Sequence, residues 1–134
     1  MRVVLDSNVV IAAFAARGLC HTLFESCIGV HEIYLCEGIL DEIADKLRNK
    51  LLLPDEITRQ ILLLLRTHAR IVLPEDVARN AVRDKTNRMV LGSAVAGKVE
   101  YIVTGDKDLL EIGTYKDITI INPRSLWKRL KDQR

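Results

Sequence analysis

Three aspartates stand where two apolar runs end. The run "RVVL" (2–5) leads into Asp6, and "YIVTG" (101–105) leads into Asp106, with Asp108 close behind. Each run has the β-branched, apolar character of a short buried strand, so the acids fall where a strand leaves the core. In open parallel sheets the ligand crevice lies off the carboxyl ends of the strands, where strand order switches. If the two strands are neighbours, Asp6 and Asp106 converge there. Converging carboxylates repel unless a cation holds them. Oxygen-only donors favour Mg²⁺ or Mn²⁺, ions that also bind phosphates. Such an ion would activate water and offset the charge that develops on a phosphodiester under attack. The competing reading is structural. An aspartate after a strand often caps the next helix: Asp6 or Ser7 would cap the first one, and Asp108 the turn before "LLEI". Phosphoreceiver and phosphatase domains also keep carboxylates at strand ends, so this arrangement alone points to phosphate chemistry and not to one reaction.

The segments between these acids alternate in type. After the first strand, "SNVVIAAFAARG" has helical spacing and Gly18 as its stop, and "HTLFESCIGV" reads as a second helix. "EIYL" reads as a strand. "EGILDEIADKLRNKL" puts Leu40, Ile43, Ala44 and Leu47 on one helical face. "LPDEITRQILLLLRTH" opens with Pro54, Asp55 and Glu56, which suit a first turn. The strand "RIVLP", the helix "TNRMVLGSAVAGKV", the strands "YIVTG" and "DITIINP", and the helix "RSLWKRLK" complete the order. Strands alternating with helices imply a parallel sheet covered on both faces. The expectation is a single α/β domain over 1–134: a three-layer α/β/α sandwich around about five parallel strands.

The 134 residues are 49% apolar and 28% charged, which fits a globular chain and excludes a disordered one. Net charge is +2 with pI near 8.5, a balance that permits nucleic acid without demanding it. Cys20, Cys27 and Cys36 lack the paired close spacing of a zinc site and read as reduced residues. The apolar run "VVIAAFAA" is far short of the ~20 residues of a membrane span. Asp6 interrupts the place where the apolar segment of a secretory signal would begin. These features give the expectation of a cytoplasmic protein. The aromatics are scattered and make no base-stacking platform, and His21, His31 and His68 share no ligand spacing.

Three stretches together carry a resemblance. "VVLDSNVVIAAF", "LDEIADKL" and "YIVTGDKDLLEI" resemble the PIN-domain ribonucleases, and within them the VapC-like toxin subunits of prokaryotic toxin–antitoxin pairs. The likeness runs from Arg2 to about Asn122; its first and last motifs are specific in combination, the middle one weak alone. It implies an α/β/α sandwich and an acidic cluster that binds Mg²⁺ or Mn²⁺ and hydrolyses RNA. Asp6 matches the family's first acid and Asn8 its following polar residue. Glu42 matches the acid of the third helix. Asp106, with Thr104 before it, matches the acid after the fourth strand, with Asp108 as an assistant; Asn8 and Thr104 are expected to meet substrate. Only the resemblance selects Glu42, since periodicity puts it with Asp41 and Asp45 on a solvated face.

The chain departs from the family at one position. The third acid is expected seven residues before Ala94, and that residue is Asn87. An amide still offers an oxygen but removes one negative charge from the site. Asp84 either replaces that acid or serves as an N-cap or a partner of Arg83 or Lys85. Arg83, Lys85 and Arg88 surround this turn and suit a polyanionic substrate. The C-terminal stretch 124–134 carries five bases (Arg124, Lys128, Arg129, Lys131, Arg134) against Asp132, either an RNA-facing edge or a solvated helix face. "QILLLLR" is apolar around most of a turn, so it is either buried or meets another chain. The resemblance implies a homodimer and a small antitoxin whose C-terminal segment fills the cleft. Two functions follow: a metal-dependent endoribonuclease acting through Asp6, Glu42 and Asp106, or a PIN module weakened at Asn87 that mainly binds RNA or a partner protein. A receiver-like domain would want a phosphorylatable aspartate at the end of a middle strand, and "RIVLPED" is not that strand.

Overall fold

The computed structural model describes residues 1–132. Its elements are β1 (Arg2–Leu5), α1 (Ser7–Ala15), α2 (Leu19–Val30), β2 (Glu32–Leu35), α3 (Glu37–Asn49), α4 (Asp55–His68), β3 (Ala69–Ile71), α5 (Lys85–Gly97), β4 (Tyr101–Val103), α6 (Lys107–Ile112), β5 (Thr114–Tyr115), β6 (Ile118–Ile121) and α7 (Pro123–Asp132). Among these residues the strands form one six-stranded sheet in the order β3-β2-β1-β4-β6-β5. All pairs are parallel except β5 with β6. Consecutive residues Val3, Val4 and Leu5 are buried, so helices cover β1 on both faces. The architecture is the α/β sandwich expected from the alternation, with α5 packed on β1, β2 and β4.

Three differences from the sequence reading have local causes. The first helix stops at Ala15, and Gly18 is the residue before α2 instead of the end of α1. Residues 107–112, expected only as a turn, form the short helix α6 behind Asp106. The sixth strand, β5, belongs to a two-residue hairpin in which Lys116 and Asp117 both have positive φ, 46° and 67°. That geometry usually takes Asn-Gly or a similar pair, so "KD" hides it.

The amphipathic stripe of α3 is buried as its spacing predicts: Ile39, Leu40, Ile43, Ala44 and Leu47 all face the core. In α4, Ile61 and Leu65 are buried, whereas Leu63 and Leu64 stay exposed. Burial in the chain's own core therefore accounts for only part of "QILLLLR". Cys27 and Cys36 are buried, Cys20 is half-buried, and all three are free thiols. No single helix among the described residues is long and apolar enough to cross a membrane.

Strand order places the site. From β1 the chain proceeds to β2 on one side, and from β4 it proceeds to β6 on the other, so the switch in order lies between β1 and β4. These two strands are hydrogen-bonded neighbours with Leu5 opposite Val103. Asp6 continues this pairing, its amide donating to the Val103 carbonyl at 3.0 Å. The acids that follow β1 and β4 thus leave the sheet side by side at its topological switch point.

Candidate active site

Asp6 sits at the N-cap position of α1 but makes no side-chain capping bond. Its Oδ2 instead accepts from the Thr104 hydroxyl at 2.7 Å, and the residue is only 4% exposed. Burial is the main influence on this carboxyl and raises its pKa above the ordinary aspartate value, against the bonds from Thr104 and the Ser7 backbone, which lower it. Among the described residues it has no ion-pair partner. The expectation that Asp6 merely caps a helix therefore fails: this is a buried acid held by a hydroxyl.

Thr104 joins the two strand-end acids. While donating to Asp6, its hydroxyl accepts from the Asp106 amide at 3.0 Å. The sequence grouped Thr104 with substrate-facing residues, but it is fully buried and positions acids instead. Asp106 is the N-cap of α6: its Oδ1 accepts from the Leu109 amide at 3.1 Å and from the Asn87 side-chain amide at 3.4 Å. Asn87, buried in the first turn of α5 at the position the resemblance gives to the third acid, therefore faces Asp106. Asp84 is the N-cap of α5, its Oδ1 accepting from the Thr86 and Asn87 amides at 2.7 and 3.1 Å. Capping is thus what Asp84 does, in place of standing in for the missing acid.

Glu42 comes from α3 on the other side. Periodicity alone assigns it to water with Asp41 and Asp45; those two are exposed, but Glu42 is half-buried because α1 packs against α3 there. Its Oε1 accepts from Ser7 Oγ at 2.6 Å and from Lys46 Nζ at 2.7 Å. Burial pushes this carboxyl up, but the bonds from Lys46 and Ser7 outweigh that and keep it below the ordinary glutamate value. Lys46 also donates to Asn8 Oδ1 at 2.7 Å and to Ser7 Oγ at 3.3 Å. Asn8, expected to meet substrate, is exposed and holds Lys46. Sequence reasoning missed Lys46 entirely and saw Ser7 only as a cap. The signal was present: Glu42 and Lys46 stand four apart on one helix, the spacing of a side-chain pair.

The remaining residues lie at the edges. Asp108, in the first turn of α6, is exposed and shares an open hollow with Arg83 and Glu111. Lys85 and Arg88 line a second hollow beside Thr86 and Met89. Arg88 turns its charge inward, donating to the carbonyls of Val82 and Arg83, and so braces the loop before α5. Of the C-terminal bases, Arg129 stacks over Tyr101 and bonds its hydroxyl. Arg134 lies outside the described residues.

The donors that could hold a cation here are all oxygens: the carboxylates of Asp6, Glu42 and Asp106 and the Asn87 amide. That set fits Mg²⁺ or Mn²⁺. The burial of Asp6 fits as well, because no cation contacts its carboxylate directly and desolvating a carboxylate is costly. Yet among the described residues no three His, Cys, Asp or Glu side chains are already gathered into a metal cage. In this arrangement Lys46 engages Glu42, and Asp106 is engaged by the Leu109 amide of α6 and by Asn87.

No curated protein sequence matches the chain. Among solved structures, a chain in the crystal structure of VapBC2 from Rickettsia felis bound to a DNA fragment from their promoter is similar in fold. The TM-score is 0.64 at 13% sequence identity, and the likeness covers 91% of this chain and 98% of that one. The family description "PIN domain" matches residues 2–108, a span that includes Asp6, Glu42, Asn87, Asp106 and Asp108. With most of its length matched, the chain belongs to the PIN domain family.

Proposed function

We propose that the protein is a metal-dependent endoribonuclease that hydrolyses RNA phosphodiester bonds, and that it is the toxin of a VapC-like toxin–antitoxin pair. The observation that carries this reading is the Thr104 hydroxyl, which ties buried Asp6 to Asp106 at the switch point between β1 and β4. Glu42 faces them from α3. A Mg²⁺ or Mn²⁺ ion would supply activation of water and charge neutralisation on the scissile phosphate. The chain's own residues do the rest. Asp6, Glu42 and Asp106 provide anionic oxygens, Asn87 a neutral one, and Thr104 fixes the spacing of the two aspartates. Arg83 and Lys85, both exposed, offer charge to the flanking phosphates that the acids would repel. Asp108 stands at the rim as an accessory acid. In this reading the protein works in the cytoplasm, where RNA is its substrate. A homodimer and a small antitoxin would use the apolar surface that α4 leaves uncovered.

A second reading, a weakened module that mainly binds RNA or a partner, is favoured by two contacts: Asn87 donates to Asp106, and Lys46 engages Glu42. One experiment separates them. Structured RNA is incubated with the protein in Mn²⁺ or in EDTA, alongside Asp6→Asn and Asn87→Asp. Cleavage that requires metal and falls at least ~100-fold in Asp6→Asn supports the nuclease. Cleavage that is absent in the natural protein and arises only in Asn87→Asp supports the binding module.

A further inference from the structure

Glu42 and Lys46 are not an ordinary surface pair. An exposed i,i+4 pair on a helix contributes little and is readily exchanged for water. Here the Lys46 and Glu42 side chains are each 24% exposed, and the ammonium meets three oxygens from two helices. These are Glu42 Oε1 at 2.7 Å, Asn8 Oδ1 at 2.7 Å and Ser7 Oγ at 3.3 Å. A lysine ammonium has three N–H donors, and this cradle matches that number. The same Glu42 oxygen takes the Ser7 hydroxyl at 2.6 Å, so it is engaged on two sides. Two residues of α1, Ser7 and Asn8, and one of α3, Glu42, thereby enclose the Lys46 charge near Asp6.

We propose that Lys46 is a resident counter-cation of the site: its ammonium occupies, on Glu42 Oε1, the position a divalent ion would take, and metal binds by exchange with it. This inference rests on the metal-dependent reading given above. An ammonium and a divalent ion cannot share one carboxylate oxygen without strong repulsion at the separations involved. Lys46 must therefore leave Glu42 Oε1 for the ion to take that oxygen, and the lost bonds to Asn8 and Ser7 oppose the exchange. With Asn87 in place of a carboxylate, the chain has one charge fewer to draw the ion in. Lys46 then sets a threshold: it keeps Glu42 satisfied and α1 docked on α3 when metal is scarce.

The test is metal binding, not turnover. Mn²⁺ is titrated calorimetrically at low salt into the natural protein, Lys46→Met, which keeps an apolar stem without the charge, and Lys46→Arg, which keeps the charge. Circular dichroism and melting midpoints check folding, and Lys46→Gln replaces Lys46→Met if the latter does not fold. The expected result is Mn²⁺ binding about tenfold tighter in Lys46→Met, with Lys46→Arg no tighter than the natural protein. Detectable binding in Lys46→Met alone supports the same conclusion. Unchanged or weaker binding in Lys46→Met overturns the counter-cation. If Asp6→Asn abolishes Mn²⁺ binding in that case, the metal site stands without it. Absence of binding in both the natural protein and Lys46→Met overturns both the exchange and the metal-dependent reading.

Discussion

At the scale of single residues the site depends on one hydroxyl. Thr104 is fully buried, donates to Asp6 and accepts from the Asp106 amide, so it fixes both acids at once. Replacing it by valine keeps the shape but leaves a buried carboxylate oxygen and a backbone N–H without partners. The expected cost is about 1–3 kcal/mol of stability, read from urea unfolding. Because groups that orient metal ligands typically matter about 10- to 100-fold, Mn²⁺-dependent RNA cleavage by Thr104→Val should fall by that factor. A variant that loses stability but cleaves at the natural rate would mean that the hydroxyl only braces the fold. At this scale sequence was a partial guide. The acids after two strands were visible from type and position, and the family motif added Glu42 and Asn87. The partners of those acids were not visible. Thr104 looked like a residue that meets substrate, and nothing but its spacing from Glu42 pointed to Lys46. Which acid a hydroxyl or ammonium reaches depends on how α1 lies against α3 and β1 against β4, and neither relation is local.

At the scale of elements, the legible features were those with a strict period or a strong stop. The stripe of α3 and the apolar strands follow from spacing, and burial in the core then follows from the stripe. The hairpin at Lys116–Asp117 and the short α6 were missed because each is sustained by its neighbours: β5 by pairing with β6, and α6 by the cap that Asp106 provides. A close approach on α5 is a further constraint of this kind. Gly92 is buried, its carbonyl accepts from the Glu75 amide at 3.0 Å, and a Cβ built on it would lie 2.3 Å from the Glu75 carbonyl oxygen. The glycine lets the segment after β3 lie directly on α5, and that segment leads on to the loop carrying Arg83 and to the cap Asp84. Alanine in a helix interior is normally better than glycine by ~1 kcal/mol. Here the obstacle is a backbone atom that cannot rotate away, and overpacking of this kind costs about 1–3 kcal/mol. The clash outweighs the gain over most of that range, so Gly92→Ala should lower stability by a net of up to ~2 kcal/mol in urea unfolding. Limited proteolysis should also cut faster within 72–84. A Gly92→Ala protein that is more stable than the natural one would show that the segment yields without cost.

At the scale of the whole molecule, the question is what covers α4. Ile61 and Leu65 point into the core, but Leu63 is 66% and Leu64 36% exposed, and Ile57 is 41% exposed on the same helix. The segment that follows adds Ile71 at 37% and Leu73 at 88%. Single exposed leucines are unremarkable on a protein surface, but several on one helix and the stretch directly after it are apolar area that a partner would cover. A net charge of only +2 does little to oppose self-association. We therefore expect the natural protein to form a dimer through α4, with the active crevice at the β1–β4 switch point left to substrate. Replacing both Leu63 and Leu64 by lysine removes apolar surface that is mostly wet at Leu63 and partly covered at Leu64, where the lysine stem keeps some of the contact, so the fold should lose only about 1 kcal/mol. The same change would place charges in the centre of a dimer contact, where they are expensive to bury. Analytical ultracentrifugation should accordingly find a dimer for the natural chain and a monomer for the double variant, with the same circular dichroism spectrum. A natural protein that sediments as a monomer across the micromolar range would remove the second copy as the occupant of this face and leave the antitoxin as its partner.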